Sequence, residues 1–160
     1  MSNDSLSLGH FACFAVYSAE HAFHRVYKPL LDELGLTYPQ FLAMVLLWEH
    51  GRLTVSGICE QLFLEANTIT PLLKRLEAAG WVRRERDQLD RRQVWAVLTE
   101  AGRALEARAA ELPKSILKAS GHNRDTLMRL TREIGELRDN LTRSAAGAGG
   151  SREEAVDPAS

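Results

Sequence analysis

Residues 62–102 read LFLEANTITPLLKRLEAAGWVRRERDQLDRRQVWAVLTEAG, and this stretch decides the fold. A helix is predicted from near Ala66 to Ala79, with Gly80 as its C-terminal stop. Pro71 falls inside that helix, at a cost its early turns partly absorb because the first amides have no helical partners. Trp81–Arg86 and Gln93–Leu98 then flank a polar turn around Asp87 to Asp90, the pattern of a β-hairpin. Just upstream, Thr54 suits an N-cap and Val55 to Leu62 reads as a short helix. A short helix, a turn, a longer helix and a hairpin together make the layout of a winged helix-turn-helix.

Outward from this unit the chain is helical. Residues 8 to about 28 carry Phe11, Phe14, Val16, Tyr17, Phe23, Val26 and Tyr27 on a broad apolar surface, as expected at a subunit interface. Pro29 is placed to open a short second helix that Gly35 stops. Thr37, Pro39 and Gln40 have capping-box spacing before the core helix Phe41 to His50, and Gly51 to Thr54 reads as a turn. Thr99 caps a further helix that Pro113 interrupts, and a last helix spans about Asn123 to Thr142. From Ser144 onward the Gly/Ala/Ser-rich sequence reads as a disordered tail. The expected organisation is therefore a mostly α domain with a small hairpin wing. Residues 1–36 form N-terminal sensor and dimerisation helices, 37–99 the winged helix-turn-helix, 100–143 C-terminal dimerisation helices and 144–160 the tail. The N- and C-terminal helices would intertwine two chains.

A length of 160 residues suits one domain, and 45% hydrophobic with 26% charged residues is ordinary for a globular chain. The formal net charge of −1 requires any nucleic-acid-binding surface to be local. Two cysteines make no secreted disulfide framework, and neither a signal peptide nor an apolar run of membrane-spanning length is visible. A cytoplasmic protein without a membrane partner is expected.

Asn67, Thr68 and Thr70 open the second helix of the pair with side chains suited to base edges and phosphates, and Lys74 and Arg75 suit backbone contacts. The hairpin concentrates Arg83, Arg84, Arg86, Arg91 and Arg92 within ten residues, a composition suited to a minor groove. The quoted stretch resembles the helix-turn-helix and wing of the MarR family of dimeric bacterial regulators. Asp90-Arg91-Arg92 followed by Leu98-Thr99 matches that family's wing pattern, Asp-x-Arg and then Leu-Thr. The resemblance, over roughly residues 8 to 142, implies that Asp90 positions the wing and that Arg92 enters the minor groove of double-stranded operator DNA.

Cys13 lies in the aromatic run Phe11-Ala-Cys-Phe-Ala-Val-Tyr17. Together with Tyr17, Tyr27 and residues 28–40, it resembles the organic-hydroperoxide-sensing OhrR branch of the family. The resemblance implies that a hydroperoxide oxidises Cys13 and that phenols matching Tyr27 and Tyr38 hydrogen-bond to it. Cys13 and Tyr27 are fourteen residues apart, about 21 Å along a helix, so a phenol that touches the sulfur comes from a partner chain in an antiparallel homodimer. Tyr17, at i+4, reaches the same pocket in cis. Phenol donors favour the thiolate that attacks peroxide, and Phe11, Phe14 and Phe23 would accept an apolar tail. In one type within that branch a second cysteine in the partner's C-terminal half traps the sulfenic acid; no cysteine follows Cys59 here, so the resemblance implies that the sulfenic acid meets a low-molecular-weight thiol or over-oxidises. Cys59 itself reads as a buried structural residue.

His21 and His24 lack further ligands at supporting spacing, so polar helix surface or interface, with no metal and no cofactor, is expected. Two other functions fit parts of the pattern: a MarR-type repressor released by a small phenolic ligand, and a thiol peroxidase. Against the peroxidase, no base or arginine accompanies Cys13 in the sequence, and the winged helix would be unexplained.

Overall fold

The computed structural model describes residues 7–150. A 3-10 turn, Leu8–His10, leads into α1, Ala12–Leu34. The second helix expected at Pro29 does not exist: α1 continues through it. Proline removes one helical donor there, while Leu31 and Leu34 on the next turn are buried in the core, and that burial outweighs the loss. Gly35, at φ 71°, ends α1, and the Leu36 amide donates back to the Leu31 carbonyl at 3.0 Å.

α2, Tyr38–His50, begins with the expected capping box. The Thr37 hydroxyl accepts from the Gln40 amide at 3.4 Å, and Gln40 Oε1 accepts from the Thr37 amide at 2.9 Å. Its Met44 and Leu47 are fully buried with Ile58, Ile69, Leu73 and Leu76 from the next two helices. Those are α3, Val55–Leu62, and α4, Ala66–Ala78. Phe63 joins them in a left-handed conformation, φ 55°.

Residues Arg52–Thr54, expected as a turn, form a strand, β1, while Thr54 still caps α3 by accepting from the Gly57 amide at 3.0 Å. Three residues are too short to show strand alternation, and this strand exists by pairing. The wing strands are β2, Val82–Arg86, and β3, Val94–Leu98, and the antiparallel sheet runs in the order β1-β3-β2. Leu53 faces Ala96 on one side of β3, and Arg84 faces Ala96 on the other.

α5, Glu100–Ala109, is capped by Thr99, which accepts from the Gly102 amide at 3.0 Å and donates to the Gly80 carbonyl at 2.7 Å. Gly102 packs so closely on the Trp81 carbonyl that a Cβ there would overlap it, and its own carbonyl accepts from Trp48 Nε1 at 2.9 Å. The next break falls at Ala110 rather than Pro113, because α6, Glu111–Ser120, holds that proline in its first turn, where an amide has no helical partner.

One compact unit ends at Ile116 and a second begins at Leu117. The second contains α7, Arg124–Gly150, opened by Asn123, whose side chain accepts from the Thr126 amide at 2.9 Å. Helix therefore occupies residues 144–150 of the expected tail, consistent with the high helix propensity of alanine. Residues 151–160 lie outside the described residues. Leu130, Ile134, Leu137 and Leu141 form an exposed apolar stripe at 3–4-residue spacing along α7.

Candidate nucleic-acid interface and sensor site

α4 buries Ile69, Leu72, Leu73 and Leu76 and turns its other face outward. Asn67, Thr68, Lys74 and Arg75 are exposed, and Thr70 is half-buried. Thr68 Oγ1 donates to Asn67 Oδ1 at 3.3 Å, so the two polar side chains at the start of the helix stand together. Pro71 lacks the amide that would otherwise bond back to the carbonyl of Asn67, one turn earlier.

The wing is fastened to this helix. Glu77 of α4 accepts from the Arg84 backbone amide at 2.9 Å and from Arg84 Nε at 2.8 Å. These bonds hold the Glu77 carboxyl below the usual carboxylate range. Arg84, placed by sequence among groove-reading residues, is thus engaged in joining strand to helix. Arg83 Nε donates to Glu85 at 2.6 Å, whereas Arg86 and Arg91 are exposed.

At the wing tip, Asp90 Oδ1 accepts from the Arg92 amide at 3.1 Å and lies 3.5 Å from Arg92 Nε, while the Arg92 side chain is 95% exposed. Asp90 therefore orients an arginine that projects into solvent. A cavity of about 330 Å³ separates wing from helix, lined by Ser56, Thr70, Arg84 and Arg92 among others.

Sequence reasoning missed the residue that shapes the tip. Asp87 Oδ1 accepts from the amides of Leu89 and Asp90 at 2.8 and 3.0 Å, and Oδ2 accepts from Trp95 Nε1 at 2.7 Å. The donors hold its carboxyl below the usual range. Arg52 of β1 stacks over the Trp95 ring at 4.0 Å, tying β1 to the same group. The turn-forming aspartate was legible as a local signal; its reach to Trp95 was not.

The sensor residues divide into two places on α1. Cys13, in its first turn, is exposed, and Tyr17 one turn on is 61% exposed. Phe11, Phe14, Val16 and Phe23 are exposed as well, an apolar face without cover in the single chain. Tyr27 lies toward the other end and meets Tyr38 of α2, with ring centroids 5.1 Å apart. Both rings pack on Phe41, at 6.0 and 6.5 Å. The helix is continuous from Cys13 to Tyr27, so the separation of about 21 Å stands. The fold brings the two phenols together and keeps the cysteine of the same chain away from them.

Burial raises both phenols above their ordinary range, helped by Tyr38 for Tyr27 and by the Glu20 carboxylate for Tyr38. Each is therefore kept protonated, a donor. They line a cavity of about 300 Å³ with His24, Leu31, Leu36 and Pro39. Glu20 stands between two imidazoles, with Oε2 3.6 Å from His21 Nε2 and Oε1 3.5 Å from His24 Nε2. No group of three or more metal-ligating side chains suited to an ion occurs among the described residues. Cys59 packs beside the core of α3 with its thiol raised, first by burial and then by Glu65. Among the described residues no single helix is long and apolar enough to cross a membrane.

Comparison with known proteins agrees with this architecture. Residues 36–94 match the MarR family. The chain is 46% identical over 139 residues to the HTH-type transcriptional regulator TtmR of Methylorubrum extorquens (strain PA1), covering 87% of this chain and 71% of that one. It is 41% identical over 138 residues to the organic hydroperoxide resistance transcriptional regulator of Bacillus subtilis (strain 168), covering 86% and 94%. Its fold matches the structure of reduced AbfR bound to DNA, a Staphylococcus epidermidis protein, with a TM-score of 0.77 and 34% identity over 89% of this chain and 99% of that one. With a wing fastened to the second helix of a helix-turn-helix, and with this similarity to regulators along most of its length, the chain is a transcriptional regulator of the MarR family.

Proposed function

We propose that this regulator is a cytoplasmic homodimeric repressor that binds operator DNA and releases it when an organic hydroperoxide oxidises Cys13, derepressing peroxide-detoxification genes. The observation that carries this reading is the separation, along one unbroken helix, of an exposed Cys13 from Tyr27, which pairs with Tyr38 of α2. Two α1 helices running antiparallel bring the cysteine of one chain to the phenols of the other. The uncovered aromatic face of α1 and the apolar stripe of α7 supply the surfaces for such a dimer. The likeness to the Bacillus subtilis regulator supports the same oxidant class.

In this reading Asn67, Thr68 and Thr70 approach base edges, while Lys74 and Arg75 contact phosphates. Arg92, set by Asp90, and Arg86 reach the minor groove, and Arg84 keeps the wing in register with the helix. Donation from the phenols favours the Cys13 thiolate. The thiolate sulfur attacks the terminal peroxide oxygen and the O–O bond breaks. The sulfur becomes a sulfenic acid, and the organic fragment leaves as an alcohol after taking a proton. A low-molecular-weight thiol then displaces water to give a mixed disulfide. Either product crowds the phenol pair and shifts the dimer toward a spacing of recognition helices that no longer fits the operator.

An anisotropy titration of operator DNA with and without cumene hydroperoxide tests this. The wild type should bind and then release. Cys13→Ser, which keeps size and polarity but forms no sulfenic acid, should stay bound, and Tyr27→Phe and Tyr38→Phe should release more slowly. A Cys13→Ser dimer that still leaves DNA on peroxide treatment refutes the reading. Release by a small phenol without oxidant would instead assign the cavity beside Tyr27 and Tyr38 to a ligand.

A further inference from the structure

Tyr17, Glu20, His21, His24 and Tyr27 recur at helical spacing on α1, on the side that also carries Cys13. Their side chains make a continuous series. The Tyr17 ring meets His21 edge-on at 4.3 Å, and His21 and His24 share the Glu20 carboxylate. His24 then meets Tyr38 edge-on at 5.2 Å, and Tyr38 lies against Tyr27 at 5.1 Å. The tyrosine near the cysteine and the tyrosine pair at the far end of α1 are thus joined through one carboxylate and two imidazoles.

We propose that His24 is a positioning residue for oxidation of Cys13, acting through Glu20 and Tyr38 to make the donor strength of the phenol pair depend on pH. The inference rests on the peroxide-sensing reading above. A carboxylate beside a phenol opposes loss of the phenolic proton, and Glu20 acts on Tyr38 in that sense, second to burial. Imidazole is the side chain that ordinarily gains its proton near neutral pH. Once protonated, His24 offsets the charge of Glu20, so Tyr38 becomes the stronger hydrogen-bond donor. A stronger donor stabilises the thiolate of the partner chain as falling pH depletes it. The series therefore sustains Cys13 reactivity into mildly acidic conditions.

Glu20 is the carboxylate at ion-pair distance from His24, and His21 shares it. Among the described residues, the titratable groups around it are Glu20, His21, Tyr27 and the Lys28–Asp32 pair of α1, and Tyr38 of α2. Lys28 and Asp32 satisfy each other at 2.8 Å. α5 meets α1 further along, where Arg108 donates to the Glu33 carbonyl at 2.8 Å.

The test is the rate of Cys13 thiol loss in the full-length protein mixed with cumene hydroperoxide, read by peptide-resolved mass spectrometry. Wild type, His24→Gln and Glu20→Gln are compared between about pH 6 and about pH 8, a range that spans imidazole titration. The wild-type to His24→Gln rate ratio should rise by about threefold or more as pH falls across that range. Glu20→Gln, a change at a half-exposed position, should give the same pH profile as His24→Gln and keeps the test open if the histidine variant folds poorly. A reactive wild-type Cys13 with a pH-independent ratio for both variants overturns the role of His24 alone. A wild-type Cys13 that does not react overturns the peroxide-sensing reading and this inference with it.

Discussion

Glu77 and Arg84 join α4 to the wing through two hydrogen bonds from one residue to one carboxylate, backbone amide to Oε1 at 2.9 Å and Nε to Oε2 at 2.8 Å. The relationship couples helix and hairpin, so the positions of Asn67 and Arg92 relative to each other are set together. Glu77→Ala and Arg84→Ala should each weaken operator binding a few-fold. The double variant should lose no more than the worse single, because both remove the same link. Additive losses in an anisotropy titration would show that Arg84 contacts DNA independently.

Arg92→Ala should weaken specific binding by about 1–3 kcal/mol, the range for one groove interaction, and leave thermal stability unchanged. Its 95% exposed side chain has no packing to lose. Operator affinity should fall steeply as salt rises, because basic wings release phosphate counterions. Unchanged affinity on substitution, or a flat salt response, would contradict the assignment of the wing.

Wing order should depend on pH through Asp87 and Glu77. Both carboxyls are held below their ordinary range, so the folded state binds their protons less tightly than the unfolded state does. The resulting stability is complete above the ordinary carboxylate pKa of about 4 and is lost as pH falls through the lower folded values. The Trp95 indole N–H resonance, bonded to Asp87 at 2.7 Å, should shift in that acidic window. Asp87→Asn should remove most of the shift.

Gly102→Ala should destabilise the protein by about 1–3 kcal/mol, a typical cost of overpacking, measured by thermal unfolding. The new methyl overlaps the Trp81 carbonyl and strains the contact that also carries the Trp48–Gly102 bond. A neutral result would mean that α5 can slide away from the wing base without penalty.

Cys59→Ala should leave peroxide response intact, with any cost confined to about 1 kcal/mol of stability. Burial and Glu65 raise its thiol, which disfavours the reactive thiolate. An intersubunit Cys13–Cys59 disulfide on a non-reducing gel of oxidised protein would overturn this.

Local physics made much of this protein legible in its residues. The caps at Thr37, Thr54 and Thr99, the stop at Gly35 and the two wing strands all follow from interactions within a few positions. The sequence by itself therefore determined the helix pair, the hairpin and hence the reading module. Where local signals conflicted with packing, packing won. Pro29 reads as a helix start, yet α1 passes through it because Leu31 and Leu34 belong to the core. Arg52–Thr54 reads as a turn and becomes a strand because β3 lies beside it. Only the tertiary structure decided which distant groups meet: Glu77 with Arg84, Asp87 with Trp95, Trp48 with the Gly102 carbonyl, and Tyr27 with Tyr38. Those pairings depend on the angles at which helices and strands pack, which arise from the burial of many side chains at once and are encoded at no single position.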